Sequence, residues 1–168
     1  MDVLLSEEQI QTRVRELAKQ ISEDFSGKPL MAVCVLKGAY AFFSDLVRAL
    51  SIPAQIEFVR VASYQGTQSG AFTVLHDIPV SLEGFHVLLI DDILDSGKTM
   101  KKLLKHMGAK NPLSLSLCTL LEKPGQLEAP VTLEYCGFQI PNEFVVGYGL
   151  DCDQQHRTLP YIARYQAD

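Results

Sequence analysis

The fold of this chain is decided by residues 87–99, which read Val-Leu-Leu-Ile-Asp-Asp-Ile-Leu-Asp-Ser-Gly-Lys-Thr. Four apolar residues are followed at once by the carboxylates Asp91 and Asp92. A short loop that contains Asp95 and a glycine then leads into a helical pattern over residues 99–106. A buried strand, a loop of phosphate size and a helix N-terminus together make an anion-binding unit. The stretch therefore predicts an α/β fold with an anion site at the end of a strand.

Strand and helix patterns alternate on both sides of this stretch. We predict strands over residues 30–36, 55–64, 71–75, 87–90, 114–121, 131–135 and 144–146, and helices over residues 7–24, 41–50 and 99–106. Ser6 and Gln9 form a capping-box pattern at the start of the first helix. The order of the elements predicts a single domain built on an open, mostly parallel sheet flanked by helices. The chain ends, about residues 1–25 and 123–168, are expected to form a small hood subdomain above it.

Composition and charge limit the possible partners. The formal net charge of −5 gives no overall field that would attract nucleic acid or an acidic membrane surface. No apolar run approaches the ~20 residues that a membrane-spanning helix needs. The start lacks the pattern of a signal peptide, and the four cysteines show no Cys-x-x-Cys pair. We expect a cytoplasmic protein with no nucleic-acid or membrane partner, which must meet an anionic substrate with local Lys, Arg, backbone amides or a metal.

Two simpler interpretations of the central stretch compete with a ligand site. Asp95 or Ser96 could be an ordinary helix cap, with Asp91 and Asp92 as solvated loop residues. Three aspartates in five positions at a strand end are costly, however, unless a cation or a sugar hydroxyl lies there. The other interpretation is a Walker nucleotide loop, which Gly97-Lys98-Thr99 would end. Its leading glycine would fall at position 92, which is an aspartate.

Six segments, in the same order along the chain, resemble the type I phosphoribosyltransferases, and specifically their 6-oxopurine branch. They are residues 36–39, 63–64, 87–99, Lys123, residues 144–151 and residues 157–160. The resemblance covers about residues 6–165 and implies the type I phosphoribosyltransferase fold. It also implies purine salvage: transfer of the 5-phosphoribosyl group from phosphoribosyl pyrophosphate (PRPP) to hypoxanthine or guanine, giving IMP or GMP and pyrophosphate. Mg²⁺ is the implied cofactor, and a homodimer or homotetramer is the implied assembly.

The resemblance gives the central stretch three tasks. Asp91 and Asp92 are implied to contact the ribose hydroxyls and to ligate Mg²⁺. Asp95 is implied to be the general base or acid that exchanges a proton with the purine. The implied 5-phosphate cradle is Asp95, Ser96, Gly97, Lys98 and Thr99. Two positions differ from the family pattern, because Asp91 stands where relatives carry Glu and Ser96 stands where many carry Thr.

Residues outside the central stretch are implied to bind pyrophosphate and to cover the site. Lys37, Gly38 and Arg157 match the pyrophosphate-binding positions, and the peptide before Lys37 is implied to be cis. Ser63 and Tyr64 match the start of a lid. From the sequence alone, Lys37-Gly38 would be an unremarkable turn and Arg157 a surface charge.

Four further residues are implied to bind the base. Lys123 donates to the 6-oxo group, Phe144 stacks on the ring and Val145 offers backbone groups to its edge. Asp151 lies near the 2-substituent and a second Mg²⁺. Without the resemblance, Lys123 would be a solvated strand end and Phe144 a core residue. Cys152 departs from the family, in which Tyr is common at that position.

Other functions remain open at this point. The same fold could serve a nucleotide-sensing regulator that binds RNA or a partner protein, although such a protein would need a basic surface. A relative that prefers xanthine is closer in chemistry, because the sequence does not rank hypoxanthine, guanine and xanthine. Lys123 together with Phe144 favours a 6-oxopurine over a pyrimidine.

Overall fold

The computed structural model describes residues 1–63 and 72–166. The helices are α1 (Glu7–Asp24), α2 (Tyr40–Ala49) and α3 (Lys98–Gly108). The strands are β1 (Asp2–Leu5), β2 (Leu30–Leu36), β3 (Gln55–Ser63), β4 (Phe72–His76), β5 (His86–Leu94), β6 (Ser114–Glu122), β7 (Tyr135–Gln139), β8 (Val145–Val146) and β9 (Ile162–Arg164). None of the helices in the described part of the chain is both long and apolar enough to cross a membrane.

Six strands form the main sheet, in the order β4-β3-β2-β5-β6-β7. All neighbours run parallel except β3 and β4, which are antiparallel. The predicted open, mostly parallel α/β sheet is therefore confirmed. Since parallel strands end at the same edge, the segments that follow β2, β5 and β6 meet there.

Helices cover both faces of this sheet, which explains why its central strands are apolar without alternation. Ala32 and Cys34 of β2 pack with α1 and α2, whereas Met31 and Val33 pack with α3. The predicted capping box is also present at the start of α1. Ser6 Oγ accepts from the Gln9 amide at 3.1 Å, and Gln9 Oε1 accepts from the Ser6 amide at 2.9 Å.

A second, three-stranded sheet in the order β1-β9-β8 joins the two ends of the chain. Arg164 of β9 ties it together, donating to Asp2 at 2.7 Å and to Glu143 at 2.5 Å. The residue ranges proposed for the hood also contain α1, which packs on the main sheet, and β7, which belongs to it. The hood boundaries therefore stay a prediction.

The strand predicted over residues 131–135 is wrong, because β7 begins only at Tyr135. The amide of Glu134 donates to the carbonyl of Leu117, while the Glu134 carboxylate accepts from the amide of Leu117 at 2.7 Å. A carboxylate oxygen thus accepts the hydrogen bond from the amide of Leu117 that a backbone carbonyl of a neighbouring strand would otherwise accept. The alternating apolar residues of the segment, Val131 and Leu133, pack instead against the core under α3.

Candidate active site

The aspartate pair lies near the carboxyl end of β5. The sequence suggested that the strand ends before Asp91. β5 instead continues to Leu94, so Asp91 and Asp92 lie inside it. Consecutive strand residues point to opposite faces. Asp91 lines a cavity on the α3 side of the sheet, whereas Asp92 lies against the backbone of Gly38.

Both carboxylates of this pair are short of positive charge. Burial, together with the neighbouring charge of Asp92, raises the pKa of Asp91 well above its usual value. Burial also raises the pKa of Asp92, although hydrogen bonds and the charge of Arg157 oppose that rise. A cation or a set of hydroxyl donors would favour the ionised form of the pair.

A cavity of about 160 Å³ opens between the end of β5 and the start of α3. Its polar lining is Asp91, Asp95, Ser96, Gly97 and Thr99, and its apolar lining is Val35, Val61, Ile93, Leu94, Met100 and Leu103. The polar lining contains every residue of the predicted cradle for a 5-phosphate except Lys98, and it also contains Asp91. The ammonium of Lys98 is paired with Glu128 at 2.5 Å.

The start of α3 is arranged to receive an anion. Gly97 precedes the helix with φ of 79°, a left-handed conformation that favours glycine. Gly97, the N-cap residue, has no side chain that could cap the helix, and among the described residues only a long hydrogen bond from the Lys98 amide to Ser96 Oγ, at 3.4 Å, engages its first turn. The positive end of the helix dipole and the amides that follow Lys98 therefore remain available to a phosphate group.

The structure pairs two predicted site residues from different strand ends. Lys123 Nζ lies 3.2 Å from Asp95 Oδ2. The Lys123 side chain is only 10% exposed, while Asp95 is half exposed. The largely buried lysine side chain is thereby held next to a carboxylate that a ligand can reach.

The predicted pyrophosphate residues meet through Gln154. Its Oε1 accepts from Lys37 at 3.4 Å and from Arg157 at 3.2 Å. Arg157 also donates to the carbonyl of Gly149 at 2.7 Å and pairs with Asp151 at 3.2 Å. Its Nε is buried and has no hydrogen-bond partner among the described residues.

The space that a side chain at Gly38 would need is filled by the carboxylate of Asp92. The peptide between Leu36 and Lys37 is cis, as the resemblance implied. A Cβ built on Gly38 would lie 2.8 Å from the carboxylate carbon of Asp92 and closer still to its Oδ2. From the other side, Gly149 approaches the carbonyl oxygen of Gly38 so closely that it too has no room for a Cβ.

Apart from Lys123, which follows β6, the predicted base-binding residues lie at the small sheet and on the turn that follows it. The Phe144 side chain is 55% exposed, and the edge of its ring meets Tyr165 at a centroid distance of 5.7 Å. Val145 is buried in β8. Asp151 accepts from the amide of Gln154 at 2.8 Å and is also paired with Arg157.

The remaining predictions concern the lid and the metal. Ser63 is the last residue of β3, and Tyr64 lies outside the described residues. Within residues 1–63 and 72–166, no three His, Cys, Asp or Glu side chains are grouped closely enough to hold a metal ion by themselves. Asp91, Asp92 and Asp151, the predicted ligands, therefore do not form a protein-only metal cage.

Sequence reasoning missed two residues of this site. Gln154 joins Lys37 to Arg157, and Tyr165 contacts the ring of Phe144. Nothing local marks Gln154, since its partner Lys37 is far away in the sequence. Tyr165 could have been predicted, because it is an aromatic residue close to the end of the chain and the two chain ends were expected to form one subdomain.

A family model and the similar sequences both identify phosphoribosyltransferases as the relatives of this chain. The family model of the phosphoribosyl transferase domain matches residues 2–153. The hypoxanthine-guanine phosphoribosyltransferase of Mycobacterium tuberculosis is 45% identical over 95% of this chain and 83% of its own length.

Two solved structures are similar over almost the whole chain. A hypoxanthine phosphoribosyltransferase from Staphylococcus aureus has a TM-score of 0.95 at 40% identity, covering 99% of this chain and 91% of that one. A hypoxanthine-guanine phosphoribosyltransferase from Bacillus anthracis has a TM-score of 0.94 at 43% identity, covering 99% of both chains.

Proposed function

The chain belongs to the phosphoribosyl transferase family, and from this premise we propose that it is a purine salvage enzyme. It transfers the 5-phosphoribosyl group of PRPP to hypoxanthine or guanine and releases IMP or GMP together with pyrophosphate. Its relatives are hypoxanthine or hypoxanthine-guanine phosphoribosyltransferases, which supports this substrate class. The observation that carries the proposal is the Lys123–Asp95 pair beside the cavity at the start of α3.

The cavity and the aspartate pair fit a ribose 5-phosphate. The 5-phosphate would accept hydrogen bonds from the amides of residues 96–99 and from the hydroxyls of Ser96 and Thr99. Asp91 and Asp92 would accept hydrogen bonds from the ribose hydroxyls, which would offset the burial that raises the pKa of both carboxyl groups. Asp91 is one methylene shorter than the usual Glu, so its contact with the sugar would be longer or pass through water.

The donor chemistry of the site also fits Mg²⁺. Asp91, Asp92 and Asp151 offer carboxylate oxygens, the ligand type that Mg²⁺ prefers. Because the described protein side chains form no cage, the ion would take its other ligands from PRPP and from water. When bound, Mg²⁺ neutralises negative charge on pyrophosphate.

Side chains of the protein would transfer the proton and select the base. Asp95 exchanges a proton with an imidazole nitrogen of the purine while the opposite nitrogen attacks the anomeric carbon. Lys123 donates to the 6-oxo group and would meet a second donor in adenine, which disfavours that base. Phe144 stacks on the base and Val145 contacts its edge.

The leaving pyrophosphate is held by Lys37, Gly38 and Arg157. A lid that starts at Ser63 and Tyr64 excludes water from the site.

We further propose a homodimer or homotetramer in the cytoplasm. The four cysteines are free thiols, which fits a reducing compartment. Light scattering coupled to size exclusion would distinguish the two assemblies. A monomer would contradict both.

A direct assay tests the proposal. The chain is incubated with PRPP, Mg²⁺ and one base at a time, and formation of the nucleoside monophosphate is followed for hypoxanthine, guanine, xanthine, adenine and a pyrimidine. We expect turnover with at least one of the first two bases and little with adenine. Tight nucleotide binding without turnover would instead support the nucleotide-sensing regulator.

The same assay tests the role of Asp95. Asp95→Asn should lower turnover ~10²-fold or more while PRPP still binds.

A further inference from the structure

Residues 127–131 pack against the outside of the loop that lines the cavity. We propose that this segment, here called the buttress, holds residues 96–99 in the shape that binds a 5-phosphate, and that Leu127 is a positioning residue for that group. The inference rests on the proposed function, since it concerns the same site. It assigns a task to a segment that sequence patterns had interpreted as a loop and part of a strand.

The first contact joins the buttress to Gly97. A Cβ built on Gly97 would lie 2.7 Å from Leu127 Cδ1, 3.2 Å from the carbonyl oxygen of Ala129 and 3.2 Å from Val131 Cγ2. The α-carbon of Gly97 is therefore enclosed by three buttress residues. Glycine is required here both by φ of 79° and by this packing.

The second contact orients a backbone amide. The carbonyl oxygen of Ser96 accepts from the amides of Glu128 at 2.8 Å and Ala129 at 3.2 Å. The C=O and N–H of one trans peptide point in opposite directions. Because the Ser96 carbonyl points at the buttress, the amide of Gly97 points away from it. That amide remains free of the buttress and able to donate to a phosphate oxygen.

The third contact occupies the side chain of Lys98. Its ammonium pairs with Glu128 at 2.5 Å, and both side chains are largely exposed. Such an exposed pair adds little to stability. Its effect is on position, because it keeps the Lys98 ammonium on the buttress while the amide of Lys98 stays at the start of α3.

The buttress is itself anchored at both ends. Just before its start, the amide of Lys123 donates to the carbonyl of Leu94 at 3.0 Å, and the amide of Gln126 donates to the carbonyl of Lys123 at 3.3 Å. At its end, Val131 packs against the core under α3. The segment can therefore transmit the rigidity of the core to the loop, and it connects the loop to the lysine proposed to bind the base.

Removing the Leu127 side chain tests the inference. Leu127 is 44% exposed, so Leu127→Ala should leave the fold intact. We expect GMP binding to weaken ~10-fold, because the loop amides lose their fixed geometry. The affinity for guanosine, which lacks the phosphate, and for pyrophosphate should stay within about twofold of the parent, because neither ligand uses the loop. Leu127→Met, which keeps a side chain of similar size, should retain most of the GMP affinity of the parent.

Controls separate the possible outcomes. Leu113 is a 59% exposed leucine outside the site, and Leu113→Ala should change none of the three affinities. Unchanged GMP affinity in Leu127→Ala, or an equal loss for GMP, guanosine and pyrophosphate, would overturn the buttress. If Leu127→Ala does not fold, Leu127→Val is measured in its place under the same criteria. If the parent binds IMP but not GMP, IMP and inosine replace GMP and guanosine. A parent protein that binds neither monophosphate contradicts the proposed function itself, which is a different result.

Discussion

Lys123 is the residue on which base selection is expected to depend. Its ammonium is almost buried and already paired with Asp95 before any base is present. A charge held in this way costs little further ordering when a 6-oxo group replaces or shares its partner. A surface lysine in the same position would lack this advantage, because it would first lose its freedom of rotation.

Lys123→Ala should lower kcat/KM for hypoxanthine or guanine by ~10²-fold or more and leave PRPP affinity nearly unchanged. The donor to the 6-oxo group would be absent, and Asp95 would lose its paired cation. Steady-state kinetics with each substrate varied in turn measures the two effects. Lys28→Ala, at the break before β2, is the matched control and should alter neither. Equal losses for base and PRPP would identify Lys123 as a structural lysine.

Gly38 leads to a second prediction at this scale. In Gly38→Ala the new Cβ would overlap the carboxylate of Asp92 and force it to move. Because a shift of about 1 Å at a reacting site can cost ~10²-fold, we expect a large loss of turnover with only a small loss of thermal stability. Gly108→Ala is the control, since a Cβ at Gly108 meets nothing within 4 Å. An active Gly38→Ala enzyme would show that Asp92 need not occupy its present position.

Sequence reasoning identified Lys123 and Asp95 separately, yet nothing in the sequence indicated that they touch. Each stands at the end of a strand, and parallel pairing of β5 with β6 brings the two ends together. Gln154 could not be predicted, because its role depends on Lys37 and Arg157 meeting in space. Residues marked by a local pattern or by the family resemblance could therefore be predicted, and residues whose role depends only on distant contacts could not.

At the scale of elements, α1 gives a clean test of a local signal. Ser6 and Gln9 satisfy two backbone amides at its start. Ser6→Ala should lower the free energy of unfolding by about 1 kcal/mol, which urea titration measures. Ser44→Ala, at an exposed position inside α2, should be neutral or slightly stabilising, because alanine is the better helix former. A loss at Ser44 as large as that at Ser6 would contradict the capping argument.

The helices and the central strands could be predicted because their patterns are local. β2 and the first half of β5 are buried on both faces, so residues 30–36 and 87–90 each appear as one continuous apolar run. The alternation over residues 131–135 indicated a strand equally well, but the Glu134 carboxylate occupies the amide of Leu117. β1 and β9 were missed because they are short and pair across nearly the whole length of the chain.

At the scale of the whole molecule, a polar cluster fastens the turn after β8 to the helices on the main sheet. Tyr148 donates to Asp45 of α2, which also accepts from Gln11 of α1 at 3.0 Å and pairs with Arg48 at 2.9 Å. The same turn contains Gly149, whose carbonyl accepts from Arg157. The cluster therefore helps to fix the part of the molecule that carries the proposed pyrophosphate arginine.

This cluster makes stability depend on pH in a direction that can be worked out. Burial opposes ionisation of Asp45, but hydrogen bonds from Tyr148, Gln11 and Arg48 outweigh it and hold the pKa of Asp45 below its usual value. Its contribution is therefore complete above the unfolded pKa of ~3.9 and is lost as pH falls through the folded pKa. Asp45→Asn should be less stable than the parent at pH 7.

The difference in unfolding free energy between parent and Asp45→Asn should then shrink as the pH approaches 3, because only the parent loses the ionised carboxylate. Comparing each variant with the parent at the same pH cancels the titration of the other carboxylates. Tyr148→Phe removes one donor to Asp45 and keeps the ring, so it should reduce the acid sensitivity only in part. A difference between parent and Asp45→Asn that is the same at pH 7 and pH 3 would mean that the ionised form of Asp45 does not hold the turn on the sheet.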